Sequence, residues 1–258
     1  MDKQKLFQQK NRTNTDASFG EGYFHGEGNV YPKGGYQLTE HIGRENAKRK
    51  VNYVIDHKSS NTSWLDVGCA YGFQVIEAYN KGIDVYGVDI SHYAVSEGQR
   101  IYPQIKDRLY VCPCDELMSK FKPGSFDVVT MFEVVEHLND PGECLSNAAS
   151  LLAPNGFLLL TTPVPGSSSS EMDATHVNVH EIDYWRGLLT DLGLRVTTPE
   201  LFYDSRLEGH WLVRQLTRVK VVRRLYMRVR ALFFNYPSYY ILACKGRANN
   251  RSINKRIT

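Results

Sequence analysis

Two strings of this sequence hold residues whose types and spacing suit chemistry. In WLDVGCAYGFQV, residues 64–75, an apolar run passes into a glycine-rich turn. Gly68 and Gly72 can take turn conformations closed to other residues, and they let a ligand approach the backbone closely. Asp66 lies near the end of the run. Seventeen residues after Gly72, the string VYGVDI brings Asp89 to a strand end, where a carboxylate can accept hydrogen bonds from both hydroxyls of a ribose. A dinucleotide site uses the same strand, turn and helix but wants G-x-G-x-x-G to seat a pyrophosphate. Here the string is GCAYG, with Ala70 at the middle position, so a ligand without pyrophosphate fits better.

The second string is FEVVEHL, with Glu133, Glu136 and His137; HVNVH follows it with His176 and His180. The three histidines are the candidate catalytic bases, because an imidazole titrates near neutral pH and takes a proton in a positioned complex. Glu133, Glu136, His137 and His176 could alternatively hold a divalent metal such as Mg that acidifies a bound hydroxyl. Against both stand structural roles: Glu136 and His137 within the fold, and His180 as a loop residue capping the next helix beside Glu181.

These residues need elements to position them, and the pattern supplies alternating strands and helices. Helix is expected from Leu38 to Asp56, then strand 64–67, helix from Gly72 to Asn80, strand 85–90, helix from Tyr93 and strand 109–112. Strand 126–132, helix from Pro141 to Leu152, strand 156–163 and helix from Ile182 to Leu192 continue the series. Such alternation predicts a Rossmann-like, doubly wound α/β sheet whose ligands bind at the carboxyl ends of the strands. SSSS at 167–170 reads as a loop. Residues 1–36, with aromatic residues set between glycines, read as a flexible arm or lid, and residues 37–200 as the core. A basic helical insertion is expected over 201–235, a last edge strand within 236–247 and a disordered tail over 248–258.

With 42% hydrophobic and 23% charged residues, the 258-residue chain is ordinary for one folded unit, and a net charge of +3 is too small to imply a nucleic-acid partner. No apolar run approaches the ~20 residues that span a bilayer, and the opening residues lack the apolar stretch of a secretion signal, which predicts a cytoplasmic protein. Five cysteines without CxxC spacing predict free thiols, and no redox role falls to CPC at 112–114. Between Arg206 and Arg230, basic residues mix with Val, Leu and Tyr and are opposed only by Glu208. That segment could rest on an anionic membrane surface, grip phosphates, or simply be a solvated helix face. The aromatic residues Tyr23, Phe24, His25, Tyr31 and Tyr36 could close over a ligand or form a homodimer contact.

LDVGCAYG, VYGVDIS, FDVVTMFEVVEHL and LLAPNGFLLLTTP resemble the successive motifs of class I S-adenosylmethionine-dependent methyltransferases, over roughly residues 38–200. EVVEH and HVNVH resemble the branch that holds ubiquinone-pathway O-methyltransferases and many glycan and natural-product methyltransferases. The resemblance implies a seven-stranded sheet whose last strand is antiparallel. It also implies S-adenosylmethionine as methyl donor, S-adenosylhomocysteine as product, and a small-molecule, glycan or lipid-linked acceptor methylated on oxygen or nitrogen. Asp66, Gly68 and Gly72 would line the methionine end and Asp89 would hold the ribose, with Cys69, Ile90, Phe132 and Glu133 as further cofactor contacts. Pro113 stands where the family usually has an acidic residue for the adenine, which leaves that contact to Asp115 or to the Cys114 backbone. Small-RNA 2'-O-methyltransferases resemble the chain at the four metal candidates, which keeps RNA as an alternative acceptor. A cofactor-binding scaffold without turnover is the alternative outside enzymes.

Overall fold

The computed structural model describes residues 16–27, 35–38, 40–58, 61–167, 170–171, 173–197 and 238–246. A seven-stranded sheet runs in the order β3-β2-β1-β4-β5-β7-β6. Its strands are β1 (Ser63–Val67), β2 (Asp84–Asp89), β3 (Leu109–Val111), β4 (Phe126–Phe132), β5 (Leu152–Pro163), β6 (Arg195–Thr197) and β7 (Ser238–Cys244). The first five are parallel, and β7 pairs antiparallel with both β5 and β6.

Near-continuous apolar runs suit strands buried on both faces, because successive side chains point to opposite sides of the sheet. Trp64, Val128 and Phe157 pack on one side, with helices α1 (Glu40–His57), α2 (Phe73–Tyr79) and α3 (His92–Ile101). Leu65, Val129 and Leu158 pack on the other, with α4 (Pro141–Leu151) and α5 (Ile182–Asp191). Helix starts are fixed locally. The Ser91 hydroxyl accepts the Ala94 N–H at the start of α3, and Asp140 accepts the Gly142 N–H beside Pro141 at the start of α4.

Three features differ from the sequence expectation. The last strand is not an edge: β7 lies between β5 and β6, because the three-residue β6 adds a further strand outside it. RVT is too short to carry a readable alternation. Within the arm or lid expected over residues 1–36, residues 16–24 form two short helical turns, Asp16–Phe19 and Glu21–Phe24, packed on the core. Asp16 accepts the His92 N–H at 2.8 Å, Ser91 donates to the Phe19 carbonyl at 2.6 Å, and Phe24 packs against Tyr36, Tyr71 and Tyr93. Of the SSSS string, Ser170 lies in a short helical stretch rather than a loop, and Ser168 and Ser169 lie outside the described residues. The basic segment 201–235 and the tail 248–258 also lie outside them. No helix among the described residues is long and apolar enough to cross a membrane.

Candidate active site

The sheet order reverses between β1 and β4, and a cavity of about 1150 Å³ opens at the carboxyl ends of the strands there. Gly68, Cys69, Asp89, Ile90, Cys114, Asp115, Phe132, Glu133, His137 and His176 all line it. Asp66, Gly72, Glu136 and His180 do not reach its wall. Gly72, at φ +79°, turns the chain into α2, and a Cβ there would meet Leu109 at 3.0 Å, so its place is turn and helix packing.

The β1–α2 turn is built around Asp89. One carboxylate oxygen accepts the Ala70 N–H at 2.8 Å and the other the Ser91 N–H at 2.9 Å. Ala70 donates from φ +47°, a left-handed conformation unusual for a residue with a Cβ, and Glu133 across the cavity sits at φ +54°. Burial raises the Asp89 carboxyl against the pull of the two N–H groups. A carboxylate has about four acceptor sites, so Asp89 holds the turn and still offers an acceptor to a ligand.

Asp66 stands behind the wall, and its Oδ1 accepts from the Thr130 hydroxyl at 2.5 Å, which accepts in turn from the Trp64 indole at 2.8 Å. Its Oδ2 is buried without a partner among the described residues. Burial pushes the carboxyl up to about 7, opposed by the Thr130 hydrogen bond and the Lys50 cation. With the folded pKa above the unfolded one, this group's contribution to stability is fully present below about pH 4 and lost as pH rises through about 7. Asp66→Asn keeps the acceptor for Thr130 and removes the charge, so it should raise the Tm of the ligand-free protein more at pH 8.5 than at pH 5. Thermal melts at the two pH values check this; equal shifts would contradict it.

Sequence reasoning missed Lys50. Its ammonium lies 3.7 Å from the Phe132 ring centroid in the cavity wall; burial lowers its pKa while the Asp66 and Glu133 carboxylates oppose that. A signal existed: Ala47, Val51 and Val54 form the buried stripe of α1, and Lys50 falls on that stripe at i+3 from Ala47.

Opposite the turn, the short helix Val135–His137 after β4 and the segment 173–178 bring Glu136, His137 and His176 together, one ligand-type atom of each lying within 4.8 Å of the others. Glu133 is outside that group. The His137 and His176 rings are 4.7 Å apart, and Phe19 of the arm meets His137 edge-on at 5.4 Å. Burial first, and then His176, depress His137 to about 4, so its imidazole is neutral at ordinary pH. Both oxygens of Glu136 are buried without a partner among the described residues, and burial, reinforced by Glu133, raises its carboxyl well above the usual range. His180 points elsewhere: it bonds Asn178 and stacks on Tyr184.

The expectation of five free thiols is corrected by a Cys114–Cys144 disulfide, with Cα atoms 5.3 Å apart. The turn Cys114–Glu116 after β3 sets Cys114 against the first turns of α4, where Asn147 also donates to the Asp115 carbonyl at 2.8 Å. Both bonded cysteines line the cavity, while Cys69 and Cys112 are buried free thiols with raised pKa, the inert kind. Reduction by a dithiol should therefore lower the Tm and weaken S-adenosylhomocysteine binding, and Cys144→Ser should reproduce both effects without reductant. Titration calorimetry and melts check this; unchanged affinity would separate the disulfide from the site.

A glycine turn and strand-end carboxylate on a 3-2-1-4-5-7-6 sheet define a class I S-adenosylmethionine-dependent methyltransferase fold. The methyltransferase-domain family matches residues 39–198, and the chain belongs to it. The chain is 28% identical over 116 residues to a ubiquinone biosynthesis O-methyltransferase of Photobacterium profundum, covering 44% of this chain and 49% of that protein. It is 33% identical over 100 residues to the Albidiferax ferrireducens protein of the same name, covering 38% and 40%. The chain thus spans about half the length of the curated relatives it matches or less. A methyltransferase structure from Archaeoglobus fulgidus shares the fold, with TM-score 0.58 and 23% identity over 81% of this chain and 99% of that one. So does phosphoethanolamine N-methyltransferase 2 of Haemonchus contortus, with TM-score 0.54 and 18% identity over 94% and 60%.

Proposed function

We propose that this protein transfers the methyl group of S-adenosylmethionine to a hydroxyl oxygen of a small acceptor held beneath the arm. The observation that carries this reading is the imidazole of His137, set in the cavity wall opposite the Asp89 turn and met edge-on by Phe19. The acceptor oxygen forms a bond to the methyl carbon, the carbon–sulfur bond breaks to leave a neutral thioether, and His137 takes the hydroxyl proton. The sulfonium is already activated, so alignment supplies much of the acceleration and the base the rest. Asp89 serves the donor's ribose, Lys50 its carboxylate, and the wall from Cys112 to Asp115 its base. The curated relatives, O-methyltransferases by name, favour oxygen over nitrogen. The aromatic corner formed by Phe19, Tyr23 and Phe24 suits a small acceptor rather than RNA.

A second reading is favoured by Glu136, a buried carboxyl whose two oxygens have no hydrogen-bond partner among the described residues, beside two imidazoles. That donor set fits a divalent ion such as Mg, held by Glu136, His137 and His176, which would acidify the acceptor hydroxyl. Peripheral membrane contact, expected of the basic segment, rests on residues outside the described set.

The test supplies methyl-tritiated S-adenosylmethionine with phenols, catechols, sugars, polyprenol-linked alcohols and amines, with magnesium or with a chelator. Methylation of a hydroxyl, reduced by about 10²–10⁴ in His137→Ala, supports the reading; loss of turnover with chelator selects the metal. Transfer to amines alone overturns oxygen chemistry, and binding without any transfer leaves a scaffold.

A further inference from the structure

The chain as a whole is slightly basic, with 31 lysines and arginines against 28 aspartates and glutamates. Its main cavity is the reverse. Among the described residues, seven carboxyl side chains line it against one ammonium, that of Lys50, and no guanidinium. The carboxyls come from every side: Asp16 from the arm, Asp89 from the end of β2, Glu133 after β4, Glu143 from α4 and Asp173 from the segment before α5. Elsewhere on the surface carboxylates meet cations, as Glu45 meets Lys48, Glu97 meets Arg100 and Asp84 meets Arg108, none of them in the cavity wall.

Little inside the cavity offsets this excess. The Lys50 ammonium is pressed on the Phe132 ring, and burial lowers its pKa. Asp173 is 5% exposed, yet it keeps its charge: burial alone would raise its carboxyl, and the bonds from Thr175 with the imidazoles of His137 and His176 hold it below its ordinary value. His137, depressed to about 4 by burial and by His176, brings no positive charge at neutral pH. The other two lining imidazoles stand against carboxylates, His92 3.3 Å from Asp16 and His176 3.7 Å from Asp173. Even with both protonated, the carboxyls of the wall outnumber its cations. A cleft lined by one sign of charge concentrates its field inside.

The donor and the product of methyl transfer differ by one charge. As the acceptor bonds the methyl carbon, the electron pair of the broken carbon–sulfur bond stays on sulfur, and a sulfonium becomes a neutral thioether; ribose, base and amino-acid ends are the same in both. We propose that the carboxyl-lined wall is a charge selector: it holds S-adenosylmethionine more tightly than S-adenosylhomocysteine, so the transfer itself loosens the cavity's hold on its product. This rests on the methyl-donor reading of the cavity and on no particular pose within it. At an effective dielectric of about 20, one carboxylate about 10 Å from a positive charge contributes roughly tenfold in affinity before screening by salt. Glu133 and Glu143 are the specificity-determining residues most open to test, since both stand exposed in the wall and keep their size as glutamines.

The experiment is calorimetry on the full chain at neutral pH with S-adenosylmethionine, S-adenosylhomocysteine and sinefungin, whose amine puts a positive charge where the thioether has none. It is run at about 0.1 M and about 1 M salt, between which the screening length falls from about 10 Å to about 3 Å. At the lower salt both cationic ligands should bind at least ~10-fold more tightly than S-adenosylhomocysteine, and that ratio should shrink at the higher. Glu133→Gln combined with Glu143→Gln should lower the ratio by about threefold or more. Asp84→Asn, which breaks an ion pair with Arg108 outside the cavity, should leave it unchanged. Each ratio is taken within one protein, so a partial loss of folded molecules cancels. S-adenosylhomocysteine binding as tightly as S-adenosylmethionine or more so overturns the selector, as does a ratio unmoved by salt or by the double variant. If neither ligand binds, the methyl-donor reading itself falls, and this inference with it.

Discussion

Asp89→Ala should weaken S-adenosylhomocysteine binding by ~100-fold or more. The carboxylate has two duties at one point, since its oxygens hold the Ala70 and Ser91 N–H groups while the residue faces the cavity. A hydrogen bond to a charged group contributes about 1.5–3 kcal/mol, so losing two to a ribose costs about 3–6 kcal/mol, or at least two decades of affinity. The Ala70 N–H, held at a left-handed φ by this acceptor, would lose its partner and let the turn relax. Asp89→Asn should be nearly as damaging, because its NH₂ would face one of the backbone donors. Calorimetry on folded variants reads both; affinity within threefold of wild type would remove Asp89 from the site.

Gly68→Ala should be the other severe change. Gly68 sits at φ +72°, where a Cβ would lie 2.3 Å from Val134 Cγ2. The left-handed conformation costs a non-glycine residue about 1–2 kcal/mol, and Val134, short and stiff at χ1, has to move as well. Val134 belongs to the loop between β4 and His137, so the strain passes from the glycine turn toward the His137 side of the cavity. We expect a Tm lower by about 5 °C or more and S-adenosylhomocysteine affinity down by ~10-fold or more. Melts and calorimetry read these, and a variant that binds normally would place the ligand away from this turn.

The first five strands, their crossover helices and the glycine turn that lines the cavity are legible in the sequence because their signals are local. Apolar runs and glycine turns each lie within a dozen residues of what they build. What escaped depends on the folded chain. β7 lies between β5 and β6 because a three-residue strand caps the sheet, and RVT carries no periodicity to announce it. Cys114 and Cys144 are 30 residues apart and are paired by the approach of the turn after β3 to α4, which no count of cysteines reveals. Of the three histidines singled out, His137 and His176 meet and His180 turns away, although spacing alone treats the last two alike. Lys50 gains its meaning from Phe132, 82 positions away.

Titration of the full chain with S-adenosylhomocysteine tests the central claim most directly, that the cavity at the β1–β4 switch point is a methyl-donor site. One saturable site per chain is expected, displaced by S-adenosylmethionine and indifferent to a nicotinamide dinucleotide. Folded protein that shows no saturable heat with S-adenosylhomocysteine, or that prefers the dinucleotide, would contradict it.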